Sequence, residues 1–322
     1  MNRTDVVIDT TYERLRASRL AYRVRRNVDL MPLTTYRVGG PARLLIEVAG
    51  PADLMDLAEI TSETAIETVV VGRGSNLLVA DRGFDGLAVI LGSGLATTVI
   101  EENTVNVGAA ALLPVVARTT AKAGLTGFEW AVGVPGSIGG AVKMNAGGHG
   151  SDMASCLVEA DVISLRTADR QTRPTAALDL SYRHSSIARH EVVVGARLAV
   201  EPGHVETSLA ELAEIVRWRR ENQPGGQNAG SVFTNPEADS AGRLIEAAGA
   251  KGLRIGSAEI SSKHANFIQS DEGGTAADVV ALMAEVRRVV VDVHGIDLTP
   301  ETHLIGFEDR RAAGDAATEE AP

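Results

Sequence analysis

A single serine, Ser231, lies in the small-residue stretch GGQNAGSVFTNP, residues 225–236. A serine nucleophile of the α/β-hydrolase type lies in the pattern G-x-S-x-G. Ala229 and Phe233 occupy the two glycine positions here, so the stretch does not have this pattern. A serine hydroxyl is a poor nucleophile without a neighbouring base. The stretch by itself leaves two interpretations, a plain turn and a serine with a different chemical role.

Two glycine-rich loops could bring backbone N–H groups close to a phosphate. They are VVVGRGSNLLV, residues 69–79, and WAVGVPGSIGGAVKMNAGGHG, residues 130–150. Leu77 stands where a dinucleotide-binding fingerprint needs its third glycine, and no Gly-Lys-Ser/Thr follows. The first loop alone is equally typical of a tight turn. Glycine at every third residue over 133–139 has a high entropic cost without a bound partner, so the two loops together predict a diphosphate or flat-ring ligand.

Two charged residues lie in short motifs further along the chain. Arg183 is in LSYRHSSI, residues 180–187, and Glu301 is in LTPETHLIG, residues 298–306. The arginine side chain is always charged and suits a carboxylate or a phosphate. Most arginines and glutamates are simply exposed, so neither residue predicts a site by itself.

The composition limits the classes of protein. The net charge of −11 disfavours nonspecific nucleic-acid binding, and the arginines between Arg14 and Arg26 are predicted to be the exposed face of a helix. One cysteine, Cys156, excludes an intrachain disulfide and a cysteine zinc cluster, and no metal site is predicted. No apolar run is long enough for a membrane span, and acidic Asp5 and Asp9 argue against a targeting peptide, so a cytoplasmic protein is expected.

Hydrophobic periodicity places these motifs on alternating strands and helices. Strands are predicted at 44–48, 68–71, 87–91, 104–107, 158–165 and 191–200. Helices are predicted at 53–60, 111–123, 208–220, 241–248 and 276–293, the last with Thr275 and Asp278 as a capping pair and Gly295 after its end. Composition changes divide the chain into 1–30, 31–91, 92–200, 201–308 and a tail, 309–322, that is predicted to be disordered.

Five motifs in chain order resemble one family. GRGSN, VPGSIGGAVKMNAGG, SYRHS, NAGSVFTNP and PETHLIG are similar to motifs of the UDP-N-acetylmuramate dehydrogenases, also called UDP-N-acetylenolpyruvoylglucosamine reductases. The resemblance extends from about residue 30 to residue 306. It implies an α+β fold, with a two-part FAD-binding region of the vanillyl-alcohol-oxidase (PCMH) type followed by an α/β substrate-binding domain. The predicted ranges 31–91 and 92–200 would be the two FAD-binding subdomains, and 201–308 the substrate-binding domain.

The resemblance also implies a reaction. NADPH would reduce noncovalently bound FAD, and hydride would pass from flavin N5 to the β-carbon of the enolpyruvyl ether of UDP-N-acetylglucosamine enolpyruvate. Ser231, Arg183 and Glu301 match the family's catalytic positions. Ser231 would then donate a proton to the α-carbon, and Arg183 would stabilise the enolate carboxylate. Glu301 could help only in a protonated form or through a proton, because a bare carboxylate repels developing negative charge.

The binding residues implied by the resemblance lie mostly in the two glycine loops. The expected FAD-binding residues are Gly72, Arg73, Gly74, Ser75, Asn76, Leu77, Pro135, Gly136, Ser137, Ile138, Gly139, Gly140, Asn145 and Gly147. The expected contacts to the uridine-diphosphate sugar are Tyr182, Arg219 and Asn235.

The chain departs from the family pattern at three points. Asn222 stands where a lysine is frequent, and His303 stands where some members have arginine. No tyrosine lies between Arg183 and Ser231, so the chain resembles the shorter type that lacks a tyrosine-bearing insertion. Two other classes stay open: another oxidoreductase on the same FAD scaffold, and a noncatalytic nucleotide-binding module. Neither would need Arg183, Ser231 and Glu301 together.

Overall fold

The computed structural model describes residues 2–307, which form two compact units. Within these residues, unit 1 consists of 2–28, 43–73 and 85–219, and unit 2 consists of 29–42, 74–84 and 220–307. The predicted domain ranges divide the chain by function and stay a prediction. The two units have other bounds, because residues 29–42 and 74–84 belong to unit 2. The tail predicted to be disordered, 309–322, lies outside the described residues.

The secondary structure mixes helices and strands along the whole described chain. The helices are α1 (Arg3–Arg16), α2 (Pro51–Thr64), α3 (Leu113–Lys122), α4 (Ile138–Lys143), α5 (Val205–Asn222), α6 (Ala241–Ala247) and α7 (Ala276–His294). The strands are β1 (Val24–Asp29), β2 (Pro41–Val48), β3 (Thr68–Val71), β4 (Leu77–Val79), β5 (Phe84–Leu91), β6 (Thr98–Glu101), β7 (Thr104–Gly108), β8 (Leu125–Thr126), β9 (Gly147–Gly148), β10 (Ser151–Asp152), β11 (Leu157–Ser164), β12 (Arg170–Pro174), β13 (Glu191–Ala199), β14 (Glu201–Pro202), β15 (Arg254–Ile255), β16 (Ala258–Ile260), β17 (Ile268–Ser270) and β18 (His303–Ile305). Between residues 2 and 307, no helix combines the length and apolarity that crossing a membrane requires.

Unit 1 is built around two sheets. A four-stranded sheet has the order β1-β2-β5-β3, with β3 parallel to β5, and a five-stranded antiparallel sheet has the order β12-β11-β13-β7-β6. The second sheet packs on a core that includes the buried rings of Phe128 and Trp130, in edge contact at 5.4 Å between centroids. The first sheet shares a core with the apolar faces of α1 and α2. Burial of this kind is the main stabilising term for such a unit.

Unit 2 has a smaller core. The antiparallel sheet β15-β16-β17 lies with α6 and α7 in one apolar cluster, which also contains the fully buried rings of Tyr36 and Phe233. A separate parallel pair joins β4 to β18, with Leu77 opposite His303. Burial raises the pKa of the Tyr36 hydroxyl, so this side chain is neutral in the folded protein.

The prediction that the arginines between Arg14 and Arg26 lie on one helical face is wrong beyond Arg16, where α1 ends: the later ones lie in the turn segment 17–23 and in β1. Arg19 contacts Asp56 of α2, and Arg23 lies 3.4 Å from Asp53. The Arg19 side chain is exposed, and an exposed pair of this kind contributes little stability. The sequence analysis did not identify β1, because its Arg25 and Arg26 are polar and its pattern does not alternate; charged residues are typical of an edge strand.

The C-terminal end of α7 gives a first prediction. Gly295 has φ +68°, in the left-handed region that side chains disfavour, although no atom would meet an added Cβ. We expect Gly295→Ala to lower the free energy of unfolding by about 1 kcal/mol, from backbone strain alone. Gly225→Ala is the matched control, since Gly225 also has open space but no positive φ. Equal stability of the two variants in chemical denaturation would contradict the assignment.

Candidate active site

Unit 2 brings two of the predicted catalytic residues together. The backbone after Ser231 pairs with the segment that ends at Glu301. Glu301 donates its backbone N–H to the Val232 carbonyl at 2.7 Å, and Phe233 lies opposite Pro300 in an antiparallel bridge. Ser231 therefore directly precedes a residue that is hydrogen-bonded to Glu301. This pairing could not be derived from the sequence, since the two motifs lie far apart in the chain.

One end of the first glycine loop joins this arrangement. The side-chain amide of Asn76 donates to the Glu301 carbonyl at 3.1 Å across a sequence separation of 225, and the Asn76 carbonyl accepts the His303 N–H at 3.0 Å. Asn76 was predicted to bind FAD; the structure places its amide on the backbone of Glu301. Gly74 has φ +60°, and an added Cβ would lie 2.1 Å from the Leu33 carbonyl oxygen, so only glycine fits there.

The Ser231 hydroxyl is half-buried and, among residues 2–307, has no hydrogen-bond partner. No histidine or carboxylate of the described chain accepts its proton, so the local chemistry does not make it a nucleophile. A hydroxyl without an internal partner can instead donate to a bound molecule.

Asn235 lies on the surface of unit 2. Its side-chain oxygen accepts the backbone N–H of Ala241, the first residue of α6, at 3.0 Å. The predicted role of Asn235 in substrate binding stays a prediction.

Arg183 lies in unit 1, so the predicted catalytic set is divided between the two units. It occupies a tight turn in which Ser181 and His184 exchange two backbone hydrogen bonds, and its φ is +58°. A strained backbone angle on a non-glycine residue persists only where the surrounding contacts impose it. The Arg183 guanidinium donates to the Gly147 carbonyl at 3.1 Å and lies 5.0 Å from the ring of exposed Tyr182.

Asn145 imposes that turn. Its side chain is buried, and its amide donates to the Ser181 carbonyl at 2.9 Å and to the Asp152 carboxylate at 3.2 Å. Its side-chain oxygen accepts the Ala154 N–H at 2.9 Å. Both amide protons are therefore used within the protein. Asn145 was predicted to bind FAD; the structure places it behind the Arg183 turn, where it holds the turn to the second glycine loop.

The two glycine loops meet in unit 1 at the hydroxyl of Ser137. A Cβ on Gly72 would lie 2.8 Å from the Ser137 oxygen, and a Cβ on Gly140 would lie 3.9 Å from it. Gly72 therefore lies too close to the Ser137 hydroxyl to carry a side chain, and a hydroxyl beside glycine backbone is a donor that a phosphate-bearing cofactor such as FAD could use. By contrast, Ile138 and Gly139 donate their N–H groups to the Ala111 and Ala109 carbonyls and hold the loop in place.

The remaining predicted cofactor residues fall into two groups. Some lie at the surface or are half-buried and remain accessible: Arg73, Ser75 and Pro135. The others are paired through their backbone within the protein. Leu77 lies opposite His303 in the β4–β18 pair, and Gly147 lies opposite Asp152 in the β9–β10 pair. The Gly136 carbonyl accepts the Leu113 N–H.

Arg219 near the end of α5 is half-buried, and burial lowers the pKa of its guanidinium. Burial and the nearby charge of Arg219 both lower the pKa of the His149 imidazole. The His149 ring also meets the exposed Trp218 ring edge-on at 5.1 Å. Asn222, at the place where a lysine is frequent, is exposed at the last residue of α5.

The sequence analysis left out two residues, His264 and Asn266. The His264 Nδ1 accepts the backbone N–H of Asn266 at 3.2 Å, so this nitrogen is unprotonated in the folded protein. The ring packs edge-on against Phe267 at 4.8 Å between centroids. Burial is the largest cause that lowers the pKa of His264. A lone histidine in KHANF has no spacing signal that could have revealed these contacts.

The lowered pKa of His264 predicts a pH dependence of stability. A histidine whose pKa is below its unfolded value of about 6.5 stabilises the fold above that pH, and this stability is lost as the pH falls below it. We expect the melting temperature to fall between about pH 7 and pH 5, and more shallowly in His264→Gln. His149, also lowered, should leave a residual slope. An identical slope in both proteins, measured by thermal unfolding, would refute the role of His264.

Comparison with known proteins extends this assignment. An FAD-binding domain model matches residues 42–170, and a model described as UDP-N-acetylenolpyruvoylglucosamine reductase, C-terminal domain, matches residues 222–305. The protein is thus a flavoprotein with an α+β fold. Its FAD-binding region is of the two-part, vanillyl-alcohol-oxidase type and is followed by a second domain. It is an FAD-dependent oxidoreductase.

The particular family follows from the relatives. UDP-N-acetylenolpyruvoylglucosamine reductases of Synechococcus sp. (strain WH7803) and Paramagnetospirillum magneticum are each 41% identical over 292 residues, with 94% of each relative and 88% and 90% of this chain covered. The crystal structure of the enzyme from Thermus caldophilus has a TM-score of 0.77 at 36% identity and covers 88% of this chain and 99% of its own. The chain belongs to the UDP-N-acetylenolpyruvoylglucosamine reductase family, as its five motifs predicted.

Proposed function

We propose that this enzyme reduces UDP-N-acetylglucosamine enolpyruvate to UDP-N-acetylmuramate in peptidoglycan synthesis, with NADPH as the reductant. The two relatives compared above are both called UDP-N-acetylenolpyruvoylglucosamine reductase, and the similarity covers 94% of each. The observation that supports it best is the backbone pairing in unit 2. Ser231 directly precedes Val232, whose carbonyl accepts the Glu301 N–H. The side-chain amide of Asn76, in the first glycine loop, donates to the Glu301 carbonyl. A reduction that needs a proton donor explains why the Ser231 hydroxyl is left without an internal partner.

The protein's own groups have separate tasks in this proposal. FAD, when bound, supplies the hydride that adds to the enolpyruvyl β-carbon. Ser231 donates a proton to the α-carbon, where the negative charge develops. Arg183 stabilises the charge that spreads into the adjacent carboxylate, because a guanidinium binds a carboxylate with paired donors. Glu301, in a protonated form, stabilises the same negative charge. Its backbone is paired with Val232, next to Ser231.

The binding groups follow the same division. Gly72, Ser137 and Gly140 would hold a phosphate of FAD, through the Ser137 hydroxyl and the backbone N–H groups of the two glycines beside it. Arg219 would bind the diphosphate of the substrate, and Tyr182 and Asn235 would bind its sugar or base. Local arginines are needed for these anions, since the chain has a net charge of −11.

The visible spectrum of the purified flavoprotein tests the proposal. NADPH, added without oxygen, should bleach the flavin absorbance, and UDP-N-acetylglucosamine enolpyruvate should restore it. Restored absorbance would establish both half-reactions and the substrate. A flavin that is reduced but stays bleached would reject the substrate and favour another oxidoreductase on this scaffold, which oxygen consumption with candidate alcohols would then reveal. A protein without bound flavin would instead favour the noncatalytic class.

A further inference from the structure

Asn266 is a buried residue in the loop between β16 and β17, outside every predicted site. Its side-chain oxygen accepts the Phe233 N–H at 3.0 Å, and its side-chain amide donates to the Phe233 carbonyl at 2.8 Å. Its backbone carbonyl accepts the Val232 N–H at 2.9 Å. One residue thus makes three hydrogen bonds to the two residues that follow Ser231.

The side chain of Asn266 takes the place of a neighbouring strand. A primary amide offers a donor and an acceptor, which are the groups that a peptide unit offers in a sheet. On the opposite side, residues 299–301 pair with the same segment: Glu301 donates to the Val232 carbonyl at 2.7 Å, and Thr234 donates to the Thr299 carbonyl at 2.9 Å. Residues 232–234 are therefore held from both sides, and Asn266 is one of the two supports.

The position of Ser231 depends on this support. On the N-terminal side, Gly230 has φ +78° and donates its backbone N–H to the Asn228 side-chain oxygen at 3.1 Å, which is the one hydrogen bond that the structure gives this residue among residues 2–307. Within the described part of the chain, no side chain or backbone group fixes the Ser231 hydroxyl by a hydrogen bond. The backbone that follows, at Val232 and Phe233, is hydrogen-bonded on both sides and is therefore the firmest support next to Ser231. A small displacement of a proton donor from its acceptor is enough to slow proton transfer strongly.

We propose that Asn266 is a positioning residue for proton donation by Ser231. It holds the Val232–Phe233 backbone so that the Ser231 hydroxyl points at the substrate carbon. This inference rests on the proposed function, in which Ser231 is the proton donor. Asn266 touches neither the substrate nor the cofactor in this proposal, and it acts only through the backbone of its two neighbours.

Two substitutions test the role of Asn266. Asn266→Ala removes both side-chain hydrogen bonds. Asn266→Asp keeps the shape and the acceptor for the Phe233 N–H but sets an oxygen against the Phe233 carbonyl in place of the donor, so it opposes that one bond specifically. We expect both variants to slow reoxidation of the reduced flavin by UDP-N-acetylglucosamine enolpyruvate by about tenfold or more, with flavin reduction by NADPH within about twofold of the unchanged protein. Ser261→Ala is the control, since buried Ser261 accepts the Lys263 N–H at 3.2 Å in the same core without touching residues 231–233.

Two further readouts separate positioning from general damage. The ratio of reoxidation rates in H2O and D2O should rise in both Asn266 variants, because proton donation becomes the slow step. In Ser231→Ala, adding Asn266→Ala should cause no further loss, because the two residues act on one step. Multiplicative losses in the double variant, or an unchanged isotope ratio, would overturn the inference while leaving the proposed function intact. Unchanged reoxidation in Ser231→Ala alone would instead reject the proton donor itself.

Discussion

Ser231→Ala should slow reoxidation of the reduced flavin by substrate by on the order of 10²–10³-fold, with flavin reduction by NADPH unchanged. The half-buried hydroxyl has no partner within the described chain, so its removal breaks no internal hydrogen bond and creates almost no cavity. The loss should therefore be one of chemistry alone. Rapid-mixing absorbance measurements on each half-reaction, together with the melting temperature, would show this.

A second substitution at the same position distinguishes loss of the donated proton from loss of side-chain size. Ser231→Cys keeps a group with an ionisable proton and nearly the same size, and a thiol is a stronger acid than an alcohol. This variant should recover part of the rate that Ser231→Ala loses. If alanine and the unchanged protein reoxidise equally fast, Ser231 is not the acid, and a water molecule or another side chain supplies the proton.

Arg183→Ala should be the second large loss, on the order of 10²-fold or more in substrate-dependent reoxidation. The guanidinium supplies paired donors to a carboxylate, whereas an ammonium group does not reproduce this geometry. Arg183→Lys should therefore keep the charge yet recover only a minor part of the rate. Substrate affinity should weaken in both variants, since the carboxylate is present before the reaction as well as during it.

A matched arginine tests whether the effect is specific. Arg170 is exposed in unit 1 and pairs with Asp161 at 2.9 Å, away from the Arg183 turn. Arg170→Ala should leave both half-reactions unchanged. Stopped-flow traces of reoxidation against substrate concentration would give the rate and the affinity separately. A normal rate in Arg183→Ala would exclude its role in stabilising the carboxylate.

Local patterns in the sequence predicted much of the secondary structure. The β-branched run at residues 68–71 is a strand, and the helix predicted over 276–293 extends over Ala276–His294 with Thr275 as its cap. These features depend on neighbours within a few positions, which periodicity and capping rules describe. The family motifs likewise predicted the FAD-binding fold.

Long-range contacts were beyond the sequence. The pairing of Leu77 with His303, and the bond from Asn76 to Glu301, join segments with no shared periodicity. The family resemblance implied Asn145 as a cofactor-binding residue, and the structure adds that its amide donates to Ser181 and Asp152. An asparagine in a loop has the same sequence signature whether it binds a ligand or holds a turn, and only the positions of its partners distinguish the two.

The parallel pair of β4 and β18 has a consequence for synthesis of the protein. β4 leaves the ribosome long before its partner, because 225 positions separate Asn76 from Glu301. At ~5–20 residues per second, translation leaves the apolar strand Leu77–Val79 without its partner for about 11–45 s. Unpaired apolar strands are the segments that aggregate and that chaperones bind. Unit 2 is thus completed only after β18 has been synthesised, and until then the apolar strand β4 is a segment that could aggregate.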